Sequence, residues 1–319
     1  MEEVVTYISP ALRANYDPTH TTSLRNQFAM DMKRRLAELR KVIKVTVVDN
    51  DAFGLNQKTI QIHQMSPAGV GAFNFSRSSD KVQAFMVWLQ QQVDRGILDI
   101  RTFQQVGQSV DAAWTNKYIY DSYKRGVMRA RFEMVRAGYD VPSMEQTGGI
   151  NASMMLPFHV DRVGLLYTRT YNDLKGITET MDSLISRILA QGIADGDGPV
   201  LLAKKILEVI KSTGAGELGI TDTIGRFISA TTRAITLART EIIRAHHVAT
   251  IQEYRNWGVL GIKVLAEWQT AGDHRVCKEC ASQQGKIYTL DEIEPLIPFH
   301  PNCRCIALPY IEELLKYEN

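Results

Sequence analysis

All four cysteines of this 319-residue chain fall between positions 277 and 305, and that crowding constrains the fold more than any other feature. Cys277 and Cys280 form a C-x2-C pair. Further on, His300, Cys303 and Cys305 form H-x2-C-x-C within the run P-F-H-P-N-C-R-C. Thiolates and imidazole are the donors that suit tetrahedral zinc, and a short C-x2-C loop can place two sulfurs on one ion. Nineteen residues separate Cys280 from His300, a normal gap between the halves of such a site. The expected ligands are Cys277, Cys280, His300 and Cys303, with Cys305 competing with His300 for the fourth position. Two disulfides would suit an exported protein, but the opening M-E-E-V-V has neither the basic nor the apolar segment of a signal peptide. Four unrelated buried thiols would not be expected to gather in 29 positions. The expectation is one structural zinc, because four protein ligands close the coordination shell and leave no position for a water.

The rest of the chain reads as helical. It is 45% apolar and 23% charged with a net charge of +2, so bulk charge indicates neither nucleic-acid nor membrane binding. No apolar run approaches the roughly 18 residues that cross a bilayer. Leu24, Phe28, Met32, Leu36, Leu39 and Ile43 recur every three or four residues, one apolar stripe of a helix. The same helix carries Arg25, Lys33, Arg34, Arg35, Arg40, Lys41 and Lys44 against Asp31 and Glu38. These cations are either a solvated face or a contact for DNA phosphates or an acidic partner.

Further helices are expected near 79–93, from Asp111 to Ala137 and from His159 onward with a turn near Gly176. Others follow from Pro199 and from Thr221 or Asp222 to about Trp257. Strands are expected at 59–63 and 262–268. Trp88 and the tyrosines between 118 and 123 read as core or interface residues before nucleic-acid contacts. Arg239 and Glu241 are two apart and do not face each other on a helix, so ion pairs to neighbouring elements are their expected role. His246 and His247 are adjacent and read as structural. The fold class is mainly α: a multi-helix body with a small α+β zinc-stabilised C-terminal module, itself expected to bury little apolar surface. The expected organisation is an extended arm (1–20), an N-terminal helical region with the basic helix (21–150), a helical body (151–257) and a zinc-knuckle module (258–319).

With these residues placed, the chain resembles the phage head morphogenesis family, the phage Mu F-like minor head proteins. The pieces that carry the resemblance are Ala238-Arg239-Thr240-Glu241, Ala266-Glu267-Trp268 and Thr270-Ala271-Gly272-Asp273. They are followed by Arg275-Val276-Cys277 with Cys280, and by His300-Pro301-Asn302-Cys303-Arg304-Cys305. The resemblance spans roughly 220–310 and extends back toward 155 through Leu166-Tyr167-Thr168-Arg169. It implies a virion component made in the host cytoplasm, placed at the portal vertex or capsid interior, with the portal protein and packaged double-stranded DNA as partners. It also implies a role in head assembly and DNA packaging or ejection, without enzymatic activity. The alternative is an HNH-like zinc-containing DNA endonuclease. There His274 would be general base, Asp273 would orient it, and Asn302 or His300 would help position a second, hydrated metal ion. The Asp-His pair precedes the first cysteine, which is the wrong order for that arrangement. A cellular zinc adaptor is a third possibility that nothing outside the cysteine motif supports.

Overall fold

A computed structural model describes residues 17–56, 69–105, 108–211, 228–259 and 264–310. The expected N-terminal arm to residue 16, the strand at 59–63, the break at 214–219 and the helix cap at Thr221 or Asp222 lie outside the described residues. The chain is mainly helical. Its helices are α1 (Thr22–Lys44), α2 (Ser78–Gly96), α3 (Asn116–Arg136), α4 (Gly149–Met154) and α5 (Pro157–Ala194), then α6 (Pro199–Lys211), α7 (Ala230–Val259), α8 (Lys278–Ala281) and α9 (Leu290–Ile293). Strands β1 (Ile100–Gln105) and β2 (Gln108–Ala113) form an antiparallel pair. β3 (Leu265–Gln269), β4 (Ile287–Tyr288) and β5 (Ile306–Tyr310) form an antiparallel sheet of order β4-β3-β5. No helix among the described residues is long and apolar enough to cross a membrane.

Two compact units divide the chain, and neither is continuous in sequence. One comprises residues 28–115 and 169–238, and the other residues 1–27, 116–168 and 239–319. In the first unit the apolar stripe of α1 from Phe28 to Ile43 is buried, and a π-helical turn (Val45–Asp49) follows it. Phe53, Phe73, Phe85 and Trp88 stack with centroids 5.3–5.9 Å apart, which places Trp88 in the core. The expected helix from Asp111 begins only at Asn116, because Gln108–Ala113 pairs with β1 instead. Helix α5 runs without a turn through Gly176, whose carbonyl accepts from Thr180 Oγ1 at 2.8 Å. Each glycine inside a helix costs about 1 kcal/mol, and the 38 residues of α5 accommodate Gly176 together with Gly164 and Gly192.

In the second unit α3 and α7 approach closely. Ser122 Oγ donates to Ile242 O at 2.6 Å, and the backbone of α7 passes where a side chain at Gly126 would stand. A buried polar chain ties α3, α5 and α7 together. Tyr123 Oη lies 2.9 Å from His159 Nδ1, and His159 Nε2 lies 3.1 Å from Glu253 Oε1. Arg131 Nε stands 3.6 Å from the other Glu253 oxygen, and its two terminal nitrogens donate to Thr147 and Ser153 at 2.6 and 3.1 Å. The 3.6 Å approach of Arg131 Nε to Glu253 Oε2 is an ion pair without a hydrogen bond, while the remaining contacts are hydrogen-bonded, so opposite charge compensates the one link that geometry leaves open.

The β3–β5 sheet shares the core of this unit. Ala130 and Met134 of α3, and Tyr254 and Trp257 of α7, belong to one buried cluster with Trp268, Ile293, Cys280 and Cys303. The cysteine-bearing module is thus not the poorly buried attachment that its length suggested. A Cβ built on Gly126 would stand 2.3 Å from His246 O and 2.7 Å from Ala249 Cβ. The Gly126→Ala substitution is therefore expected to destabilise the protein by about 1–3 kcal/mol, despite alanine's better helix propensity. Thermal unfolding checks this, and an unchanged midpoint would contradict the close approach.

Candidate metal centre

The first donor pair sits at a helix start. Cys277 is the N-cap of α8, and its Sγ accepts the Cys280 N–H at 3.3 Å, so one short turn holds both sulfurs. The second group sits on a tight turn. The Cys303 N–H donates to His300 O at 3.1 Å, with Pro301 and Asn302 between them and Asn302 at φ 62°. Proline followed by a residue of positive φ is the pattern of a type II turn, and asparagine tolerates that conformation. H-P-N-C is therefore a turn sequence as much as a ligand sequence.

The structure brings all five candidate ligands together. His300 Nε2 lies 3.2 Å from Cys277 Sγ and 3.1 Å from Cys280 Sγ, while Cys280 Sγ lies 4.0 Å from Cys303 Sγ. Cys277, Cys280 and His300 form one donor group, and Cys280, Cys303 and Cys305 form a second that shares Cys280. Two sulfurs bound at about 2.3 Å to one tetrahedral ion stand about 3.8 Å apart, close to the Cys280–Cys303 separation. His300 Nδ1 lies 2.8 Å from Pro301 O. A carbonyl only accepts, so Nδ1 carries the proton and the Nε2 lone pair faces the sulfurs, as a metal-ligating imidazole requires.

The thiols divide a small number of protons. The Cys305 thiol, together with backbone N–H groups, holds Cys303 well below the usual thiol range. Cys305 is raised because its own proton serves Cys303, and burial raises Cys280. A bound divalent cation stabilises every thiolate at once and removes that competition. The donor set and the orientation of His300 are those of a site that could hold a metal ion, through Cys277, Cys280 and His300 and through Cys280, Cys303 and Cys305.

Asp273 and Arg304 frame the cluster. Arg304 Nη1 and Nη2 donate to the two Asp273 oxygens at 2.6 Å each, and Arg275 adds a contact at 3.1 Å from its guanidinium and one at 3.0 Å from its backbone N–H. The Arg304 hydrogen bonds hold the Asp273 carboxyl far below the usual carboxylate range. This fork ties the turn after β3 to the segment between Cys303 and Cys305. Thr270 and Gln284 close the same turn, with Gln284 Oε1 accepting from both the N–H and the hydroxyl of Thr270. His274 is exposed, and the hydrogen bonds to Asp273 come from Arg304 and Arg275.

Helix α7 seats the module through residues whose role its sequence does not announce. Thr240 Oγ1 accepts from the Asn302 N–H at 3.1 Å, His247 Nε2 donates to Ile293 O at 3.1 Å, and Tyr254 Oη donates to Ala307 O at 3.3 Å. These three positions are seven residues apart, so they share one helix face. Glu241 is buried and meets Arg244 on its own helix at 3.0 Å. The seven-residue spacing of Thr, His and Tyr was the signal available in the sequence.

Residues 184–308 match the family model described as Phage Mu protein F like protein. The Mu F-like segment begins within α5 and ends in β5, so it contains α7 and every candidate zinc ligand, and the resemblance read from the sequence is borne out over it. No curated protein and no solved structure matches the chain.

The basic residues of α1 lie outside the Mu F-like segment, and the structure separates them. Arg25 is buried in an ion pair with Asp17. Arg35 bonds Gly96 O, stands 3.7 Å from Asp99 and lies 4.1 Å over the Trp114 ring. Arg34 meets Asp31 and Glu38 on its own helix. Lys33, Lys41 and Lys44 are exposed, and Arg40 is half-buried.

Replacing Asp273 by Asn keeps the shape but removes the charge, and should cost about 1.5–3 kcal/mol. Arg304→Lys should not rescue it, because lysine cannot present a planar fork. Urea denaturation of both variants measures this, and a wild-type midpoint in either would mean the fork contributes nothing. Burial lowers the pKa of His247 to about 4, against an unfolded value near 6.5. Through His247 the unfolded chain binds one more proton between these values, with buried His246, lowered to about 3, adding to it, and stability falls as pH drops below about 6.5. The expected loss is about 1 kcal/mol per pH unit, saturating near the folded value. His247→Gln should flatten that slope in denaturation curves taken from pH 6.5 to 4.5, and an unaltered slope would assign the dependence elsewhere.

Proposed function

We propose that the protein is a minor head component of a tailed bacteriophage. In this reading it is made in the host cytoplasm and incorporated at the portal vertex and capsid interior, where it assists head assembly and DNA packaging or ejection. The observation that carries the reading is the Mu F-like segment from 184 to 308, which includes the whole donor cluster and the helix that seats it. Zinc, in this reading, locks a turn and a helix start into one surface. The portal protein is the proposed principal partner, and packaged double-stranded DNA a second one through the exposed Lys33 and Lys41 of α1. No membrane contact is part of the proposal.

The chemistry around the cysteines supports a structural role over the endonuclease. A general base in the HNH arrangement needs a carboxylate to orient it, whereas Asp273 is taken up by Arg304 and Arg275. The donors fall into two groups of three that share Cys280, and four of the five converging on one ion would leave no position for water or substrate.

Elemental analysis of the purified chain should find about one zinc per molecule. The Cys277→Ser variant should lose the metal, while the helical signal of α7 persists because the core is shared. Incubation with DNA and magnesium or manganese should give no cleavage. Procapsids should contain the chain together with the portal protein, and particles made without it should package or eject DNA poorly. Metal-dependent cleavage abolished by His274→Ala, or absence of the chain from procapsids, would overturn the proposal.

A further inference from the structure

In the unit that contains α1 and α6, the end of α1 and the π-helical turn stand against α6 and leave a cleft of about 450 Å³. Its floor is apolar, formed by Val48 and by Val200, Ala203 and Leu207, which lie on one face of α6. Val200 remains 68% exposed. Its rim is cationic, with Arg40, Lys44, Lys204 and Lys211 against the single carboxylate of Glu208. None of these four cations has an ion-pair partner among the described residues, and Arg40 Nε is buried there without an acceptor. Other cations on the same helices are paired, Arg35 with Asp99 at 3.7 Å and Lys205 with Asp197 at 2.6 Å, while Lys33 and Lys41 are exposed. The cleft is therefore left both apolar and positive.

A ligand must answer both properties. A phosphate backbone would satisfy the cations but leave the apolar floor without a partner. A purely apolar helix would fill the floor but strand four desolvated charges. The complementary occupant carries two or three aliphatic residues at helical spacing with carboxylates beside them, the helix-in-groove mode of recognition. The chain itself contains such a segment directly after β5: Ile311-Glu312-Glu313-Leu314-Leu315-Lys316-Tyr317-Glu318-Asn319. Ile311, Leu314 and Leu315 are spaced i, i+3 and i+4, and three glutamates outnumber one lysine. The N-terminal run M-E-E-V-V-T-Y-I has similar charge, but its β-branched residues disfavour a helix.

We infer that this cleft is the docking site for the C-terminal segment, residues 311–319, of a second copy of the chain. The contact joins unlike surfaces, so it builds a ring or a filament when propagated and a two-fold dimer when two copies exchange their segments reciprocally. It rests on the cleft and the terminal sequence alone and stands apart from the zinc site.

The test uses the full chain carrying Leu314→Asp and Leu315→Asp, so that its own segment cannot compete. A fluorescent peptide of residues 310–319 is titrated against it by anisotropy. Saturable micromolar binding is expected, weakened at least about tenfold by adding Lys44→Glu and Lys204→Glu to the chain, and by raising salt. The same peptide with Leu314→Asp should not bind, nor should a peptide of residues 1–10. In sedimentation, the unmodified chain should associate with rising concentration, and the Leu314→Asp, Leu315→Asp chain should stay monomeric. Four results would each overturn the proposal: no peptide binding, equal binding of the 1–10 peptide, an unmodified chain that is monomeric at all concentrations, or tighter binding of double-stranded DNA lost on the same lysine changes. The last would make the cleft a nucleic-acid surface.

Discussion

The module around the cysteines depends on the rotational setting of α7. Thr240, His247 and Tyr254 lie on one face and each reaches a backbone group, at Asn302, Ile293 and Ala307. Consecutive helix residues differ by about 100° around the axis, so a one-residue slip would turn all three away together. Those backbone groups lie in the H-P-N-C turn, in α9 and in β5, three separate pieces of the module. One helix therefore sets the positions of segments that local sequence alone would leave independent. Arg255, one residue after Tyr254, extends the grip by meeting Asp291 at 2.6 Å and Glu294 at 2.7 Å.

That arrangement redistributes the work expected of a metal. A knuckle of this length standing alone would draw most of its folding free energy from zinc. Here Trp268 is fully buried and meets the Phe299 ring edge-on at 5.6 Å, and Cys280 and Cys303 are themselves part of the core. The fork between Asp273 and Arg304 already joins the two halves of the donor cluster. A bound ion would then act mainly on the five donor side chains, fixing which four converge, rather than on the existence of the module.

The fold class was legible because helical apolar stripes are local signals. Leu24 through Ile43 recur as one stripe, and all six of its named positions are buried. The proximity of the donor groups was equally legible, since C-x2-C and H-x2-C-x-C each close within a turn and only one separation had to be spanned. What escaped was non-local. Gln108–Ala113 is a strand because Ile100–Gln105 lies beside it, and nothing within its own six residues decides against helix. The chain Tyr123–His159–Glu253–Arg131 joins residues up to 130 positions apart, so no spacing rule could assemble it. Gly126 reads as an unfavourable helix residue until α7 is seen passing over it.

Gly126 and the buried polar chain also explain what holds the setting of α7 on its other side. The glycine admits the α7 backbone at His246 and requires a small side chain at Ala249, which fixes the height of one helix against the other. Ser122 adds a hydrogen bond to the Ile242 carbonyl, a direct link to the α7 backbone one turn before His246. Glu253 then fixes rotation, because its carboxylate must face His159 and Arg131 at once. A buried carboxylate turned away from both would be left uncompensated, at a cost of about 3–5 kcal/mol. Ion pairs of this kind add little net stability over apolar packing, but they penalise wrong registers heavily. Since Glu253 and Tyr254 are consecutive, the register that satisfies the one also aims the other at Ala307. The polar core of α3, α5 and α7 thereby determines where the H-P-N-C turn, and with it His300 and Cys303, can stand.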